Sequence, residues 1–161
     1  MCGADSRPAV TACVIEGNVP WGLACMGGSA PEFRECIVRG NGKTADTYGV
    51  FVAARAAPKF EACRIADNYA GGIRIDANAA VLLVDSTITG NGRRGLLLLY
   101  SSIGTVKGCT ISGNGGGVEA NASRIVLEDC WIADNTAAKG GGMWCFAAPG
   151  VQLRNCVITR N

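Results

Sequence analysis

Along this chain apolar and variable residues alternate in short bursts, and glycine, asparagine, aspartate and alanine crowd the gaps between them. The clearest burst is a six-residue word: Cys or Ser, any residue, Ile or Val, any two residues, then Asn. Its copies begin at Cys13, Cys36, Cys63, Ser86, Cys109, Cys130 and Cys156 and end at Asn18, Asn41, Asn68, Asn91, Asn114, Asn135 and Asn161. Successive asparagines stand 23, 27, 23, 23, 21 and 26 residues apart, so the chain is a repeat array. A second burst lies upstream of each word and opens on glycine, as in Gly49-Val50, Gly72-Ile73, Gly95-Leu96 and Gly142-Met143, with alternation at Val50/Val52, Ile73/Ile75 and Leu96/Leu98. A third sits three and five residues before the Cys, as in Phe60 and Pro58, Leu83 and Val81, or Leu127 and Ile125. Each repeat therefore predicts three short strands, each with one buried face.

Three strands per repeat and no helix-length periodic segment imply parallel strands stacked coil on coil ~4.8 Å apart. The asparagines then form a ladder whose side-chain amides satisfy turn backbone groups that no strand reaches. The Asn-Gly pairs at 41 to 42, 91 to 92 and 114 to 115 are the expected left-handed turn positions. A leucine-rich repeat competes, because Phe60-x-x-Cys63-x-Ile65-x-x-Asn68 fits its consensus. It requires Leu two residues after the Asn, where this chain has Pro20, Lys43, Ala70, Arg93, Gly116 and Ala137, followed by a strand. Hexapeptide and calcium-binding nonapeptide helices fail for want of their sub-periods. The reading is all-β: one single-stranded right-handed parallel β-helix over residues 1–161, of six to seven coils of 21 to 27 residues, with an Asn ladder. Residues 1–18 read as an incomplete first coil, and neither end carries a capping segment. That implies a piece of a longer protein, or a unit whose ends meet another copy of itself.

Charge and composition narrow the classes. Fifteen basic and 13 acidic residues give +2, with no cationic cluster longer than Arg93-Arg94, so nucleic acid is not an expected partner. The apolar run Leu96 to Tyr100, like every other apolar run in the chain, falls well short of the ~20 residues of a helical membrane span. The absence of histidine removes Ser-His and Cys-His nucleophile pairs and His-containing zinc sites. Six of the nine cysteines open the word, and Cys2, Cys25 and Cys145 fall on the inward side of the glycine-led strand. All nine are expected to be reduced, buried packing groups forming a cysteine ladder, and no cofactor or metal is implied.

The word followed by Gly-Gly-Ile, with Ala57-Pro58-Lys59-Phe60-Glu61-Ala62 before Cys63, resembles the parallel β-helix repeats of the pectate-lyase-like superfamily, including its carbohydrate-binding and sugar-hydrolysis type repeats. The resemblance covers essentially the whole chain and implies an extracellular or cell-surface setting. It also implies a ligand groove on the outer face of one sheet. On the glycine-led strand the outward positions are Ala24, Phe51, Arg74, Leu97, Glu119 and Trp144, and beside them Met26, Ala53, Asp76, Leu99, Asn121 and Phe146. Phe51, Trp144 and Phe146 could stack on sugar rings while Arg74, Asp76 and Glu119 supply hydrogen bonds or acid/base groups. Asp76 and Glu119, two coils apart, would have backbones about 10 Å from each other, near the upper end for an inverting pair. The competing reading makes Arg74 and Asp76 an exposed ion pair and Glu119 a solvated carboxylate. The acidic cluster of calcium-dependent lyases has no counterpart, since Asp67 and Asp134 lie in turns coils apart.

The expected function is a non-catalytic module binding carbohydrate or protein through this face. A polysaccharide-degrading hydrolase or lyase acting on the same face is the alternative, and a structural spacer of a surface adhesin is a second. The expected partners are a polysaccharide and a second copy of the chain, the latter through the coil ends or the Leu97/Leu99/Trp144 face.

Overall fold

The computed structural model describes residues 1–161 and contains twenty strands and no helix. They stack in three parallel sheets, each taking one strand per coil. The glycine-led sheet comprises Leu23–Cys25, Tyr48–Val52, Gly71–Ile75, Arg94–Leu98, Gly116–Asn121 and Met143–Phe146, and an isolated parallel bridge from Cys2 to Cys25 extends it. The middle sheet runs from Ala9–Thr11 through Glu32–Arg34, Lys59–Glu61, Ala80–Val84, Ile103–Lys107 and Arg124–Glu128 to Gly150–Arg154. The word sheet runs from Val14–Glu16 to Val157–Thr159. Gly22, Gly49, Gly72, Gly95, Gly117 and Gly142 each lead into or lie within the start of a strand, where a leucine-rich repeat would place no such strand.

Inward residues stack on their own equivalents. Val38, Ile65, Ile88, Ile111 and Ile132 form one column, and Phe33 and Phe60 stack with ring centroids 4.8 Å apart. This burial is the main driving force for closing each coil.

The asparagine ladder supplies the register. From Asn18 to Asn135 each residue donates its backbone N–H and its Nδ2 to Oδ1 of the next Asn; for Asn68 to Asn91 these bonds are 3.1 and 2.9 Å. The Nδ2 of Asn91 also donates to Ile65 O and Thr89 O, both at 3.2 Å, so an interior rung bonds the coils on both sides. The glycine opening each strand is a consequence: a Cβ at Gly49 would lie 2.5 Å from Asn68 Nδ2, and one at Gly22 would lie 2.7 Å from Asn41 Nδ2. These glycines make room for the ladder.

Left-handed backbone falls elsewhere than expected. Of the glycines in the three Asn-Gly pairs only Gly42 has positive φ; Gly92 and Gly115 are small because the carbonyls of Tyr69 and Gly92 cross just beneath them. The left-handed residues flank the word instead: Ala12, Glu35, Ala62, Asp85, Gly108, Asp129 and Asn155 before it, and Gly17, Gly40, Asp67, Gly90, Gly113, Asp134 and Arg160 at its fifth place. Each word is bracketed by two such bends.

The cysteines are nine free thiols, but only Cys25, Cys36, Cys63, Cys109 and Cys130 are buried. Cys2 and Cys156 are half-buried and Cys13 and Cys145 exposed, because the first and last coils have a neighbour on one side only. In the interior, Cys63 N–H donates to Ser86 Oγ at 3.0 Å and Ser86 N–H to Cys109 Sγ at 3.4 Å, so the hydroxyl and the thiol do the same job. Burial pushes the Cys109 thiol up to about 12 and also raises Cys63 and Cys130.

Three outcomes follow from these features. Asn91→Ala orphans the N–H of Asn68 and leaves its Nδ2 with Val38 O alone, so urea unfolding should show a loss of about 3 kcal/mol or more. Ala62→Gly relieves a left-handed alanine whose side chain is exposed and should gain about 1 kcal/mol. Because the buried thiols have raised pKa values in the fold, their stabilisation is complete below the unfolded thiol pKa and fades as pH rises toward the folded one. The unfolding midpoint should therefore fall between roughly pH 9 and 12, and less so in Cys109→Ser.

Candidate functional site

The outer face of the glycine-led sheet aligns as its alternation requires: Ala24, Phe51, Arg74, Leu97, Glu119 and Trp144 are successive register partners, and Asn121 pairs with Phe146. Two aromatic–arginine–carboxylate clusters form on it. In the first, Trp21 stacks on Phe51 at 4.8 Å and the Arg74 guanidinium lies 6.0 Å from the same ring. Arg74 Nη2 donates to Asp76 Oδ2 at 2.8 Å, and Asp76 Oδ1 accepts the Ala77 N–H at 3.0 Å. Both carboxylate oxygens are thus engaged, and Phe51 is partly covered.

The second cluster grows from a column three residues earlier on the strands, in which Tyr48, Gly71, Arg94 and Gly116 alternate large and small. The Tyr48 ring lies over Gly71, and the Arg94 guanidinium over Gly116, where a Cβ would collide with Nη1. So guided, Arg94 Nε donates to Glu119 Oε2 at 2.8 Å, Nη2 reaches Lys139 O at 3.4 Å, and the guanidinium carbon sits 5.7 Å from the Trp144 ring centre. Its Nη1 is buried with no partner. Each side chain of the Arg94–Glu119 pair keeps only 15% of its surface exposed. Burial raises the Tyr48 phenol above its ordinary range, so at neutral pH its hydroxyl remains able to donate.

Beside this cluster lies a depression of about 430 Å³ lined by Tyr48, Arg93, Arg94, Leu97, Leu99 and Glu119, with Gly92, Gly115 and Ala137 at its margin. The two longest coil steps, 27 and 26, add their extra residues at the turn between the word sheet and the glycine-led sheet. Those turns, 42–47 and 136–142, stand on either side of the short ones at 69–70, 92–93 and 115. The first is braced by Thr47 Oγ1, which accepts the N–H groups of Lys43 and Thr44 at 3.1 Å each and donates to Thr44 O at 2.6 Å. The depression opens over the short turns, and Arg93 enters no ion pair.

Residues 21–161 match the family model described as the right-handed β-helix region. The chain belongs to the right-handed β-helix family. No match is found among curated proteins or among solved structures.

Within this right-handed β-helix, the residues singled out from the pattern separate into two places. Leu97 and Glu119 line the depression and Trp144 borders it through Arg94. Phe51, Arg74 and Asp76 belong to the first cluster, outside it, and Phe146 is exposed on the last coil. Asp76 lies two residues further along its strand than Arg74, whose register leads through Leu97 to Glu119. The diagonal separation of the two carboxylate-bearing backbones is therefore roughly 12 Å, wider than the 10 Å of a direct line across strands. Glu119 is paired with Arg94, where a solvated carboxylate had been the competing expectation. Tyr48, Arg93 and Arg94 escape a search confined to the two outward columns. The signals that reveal them are the unequal coil lengths and the large–small alternation ahead of the strands.

Removing one partner of the half-buried pair should cost more than removing both. Glu119→Gln is expected to lower stability by about 2 kcal/mol, whereas Arg94→Met combined with Glu119→Leu should come within about 1 kcal/mol of wild type in urea unfolding.

Proposed function

We propose that the chain is a non-catalytic binding module that holds a carbohydrate chain in the depression between the two long turns. The observation that carries this reading is the convergence there of a half-buried apolar floor, Leu97 and Leu99, with the Tyr48 hydroxyl, an arginine free of ion pairs, Arg93, and the Arg94–Glu119 pair. A sugar ring has the matching chemistry, with C–H faces that prefer an apolar platform and hydroxyls that bond to directed polar groups. Trp144, 37% exposed, lies outside the lining but packs against Arg94, with the guanidinium carbon 5.7 Å from its ring centre. A non-catalytic role is supported by the carboxylates. Glycoside cleavage by the common route needs two carboxyl groups flanking one bond, about 5 to 9.5 Å apart. Here the depression has one carboxylate, already bonded to Arg94, and Asp76 is some 12 Å away by backbone geometry and occupied by Arg74 and Ala77.

Affinity electrophoresis and calorimetry against a panel of neutral and acidic polysaccharides test the reading. At least one polysaccharide should retard the wild-type chain, Arg93→Ala and Leu97→Asp should each weaken binding tenfold or more, and no reducing ends should accumulate. Oligosaccharide release that Glu119→Gln abolishes would establish the enzyme instead, and an absence of binding across the panel would leave a structural spacer.

A further inference from the structure

We propose that the outer face of the middle sheet is a contact by which two copies of this chain pair, about a two-fold axis running along the strand Ala80–Val84. Successive register partners give this face a column reading Arg34, Glu61, Val84, Lys107, Glu128. Counted outward from Val84 in the two directions, the column is opposite in charge at the first two steps, Glu61 against Lys107 and then Arg34 against Glu128; at the third step the neutral Thr11 stands against Arg154. The adjacent column, Glu32, Lys59, Leu82, Thr105, Val126, has its apolar residue Leu82 on the same central strand. Ile103, nearly half exposed, lies beside it.

A rotation of 180° about an axis along the central strand keeps positions along the strand and reverses the order of coils. Laid face to face, Val84 and Leu82 of one copy then meet the same residues of the other at the axis. Lys107 faces the second copy's Glu61, and Glu128 faces its Arg34. An isologous contact needs a surface complementary to itself under the two-fold, and the charges within two coils of Val84 have that property, while the adjacent column sets Lys59 against Thr105 and Glu32 against Val126 without opposing like charges. Within one copy Lys59 and Glu61 pair at 2.7 Å, Arg34 and Glu61 at 3.7 Å, and Lys107 and Glu128 at 3.0 Å, so pairing of copies extends rows already alternating in sign. Five coils by three outward columns cover on the order of 1,000 Å² summed over both copies, the lower limit for a specific interface and the range of weak, reversible dimers. The depression on the glycine-led sheet stays open in both copies, so pairing would place two such sites on one particle.

Sedimentation velocity with charge-swapped chains tests the proposal independently of any carbohydrate. Wild type should pass from monomer to dimer between roughly 1 μM and 1 mM. Lys107→Glu alone sets glutamate against Glu61, and Glu61→Lys alone sets lysine against Lys107; each should weaken self-association at least tenfold. An equimolar mixture of the two variants restores both attractive contacts and should dimerise at least as well as wild type. Arg34→Glu and Glu128→Arg form a second complementary set, to be used if thermal melting shows that either first variant is unfolded. A wild type that stays monomeric to about 1 mM, folded single variants that associate like wild type, or a mixture no stronger than its components would overturn the proposal.

Discussion

One side-chain amide per coil sets the terms on which this chain folds. An interior asparagine accepts two hydrogen bonds from the rung before it, gives two to the rung after it through its backbone N–H and its Nδ2, and gives another to a backbone carbonyl of the preceding coil, as Asn114 does with Asn91, Asn135 and Ile88. The backbone hydrogen bonds of the three parallel sheets tie neighbouring coils together but repeat along each strand, and a hydrophobic column tolerates sliding, so the ladder adds the directed bonds that only one register satisfies. The amide must sit inside the turn, so the residue beside it on the glycine-led strand that opened its own coil can carry no Cβ, and the recurring glycines follow. The two left-handed bends that bracket each word turn the chain so that the asparagine points inward. Packing supplies most of the energy and the ladder decides where it is collected.

Such an arrangement is unusually legible, because stacking coils in register places like residues on like residues and the constraint is written seven times. The three sheets, the inward columns and the ladder could all be read from spacing alone. What was not legible came from departures between repeats. Left-handed backbone at Ala62 or Arg160 has no compositional marker, since neither residue type favours it. The exposure of Cys13 and Cys145 depends on which coils have two neighbours, a fact about the stack and not about the word. Tyr48 and Arg94 stand in the column where glycine alternates with large residues, and their significance depends on how far a side chain can lean across a missing Cβ.

The candidate site illustrates how a uniform scaffold acquires a particular place. The coils themselves are nearly interchangeable, and a face built only from them is flat. Adding a few residues to two turns on the same edge raises walls without disturbing the ladder, because the insertions fall between the asparagine and the next strand. Between those walls the short turns, tightened by Gly92 and Gly115, leave Arg93, Leu97 and Glu119 at the bottom of a depression. Most other ion pairs on the outer surface, such as Arg39 with Glu16 or Arg160 with Asp134, are exposed and contribute little to stability, Arg74 with Asp76 being the partly buried exception. The Arg94–Glu119 pair is set apart by its burial and by an unpartnered guanidinium nitrogen. It is the feature of this face that coil stacking alone does not explain.

If the ladder is the register-setting interaction, its bonds should open only when the whole stack opens. Native-state hydrogen exchange of the backbone amides of Asn41, Asn68, Asn91 and Asn114, each donated to the side chain of the following rung, measures this directly. All four should exchange with the free energy of global unfolding measured by denaturant, alongside the core amides of Ile73 and Leu96. Exchange of the asparagine amides through local openings several kcal/mol cheaper than that, while the core amides remain protected, would contradict a register-setting ladder.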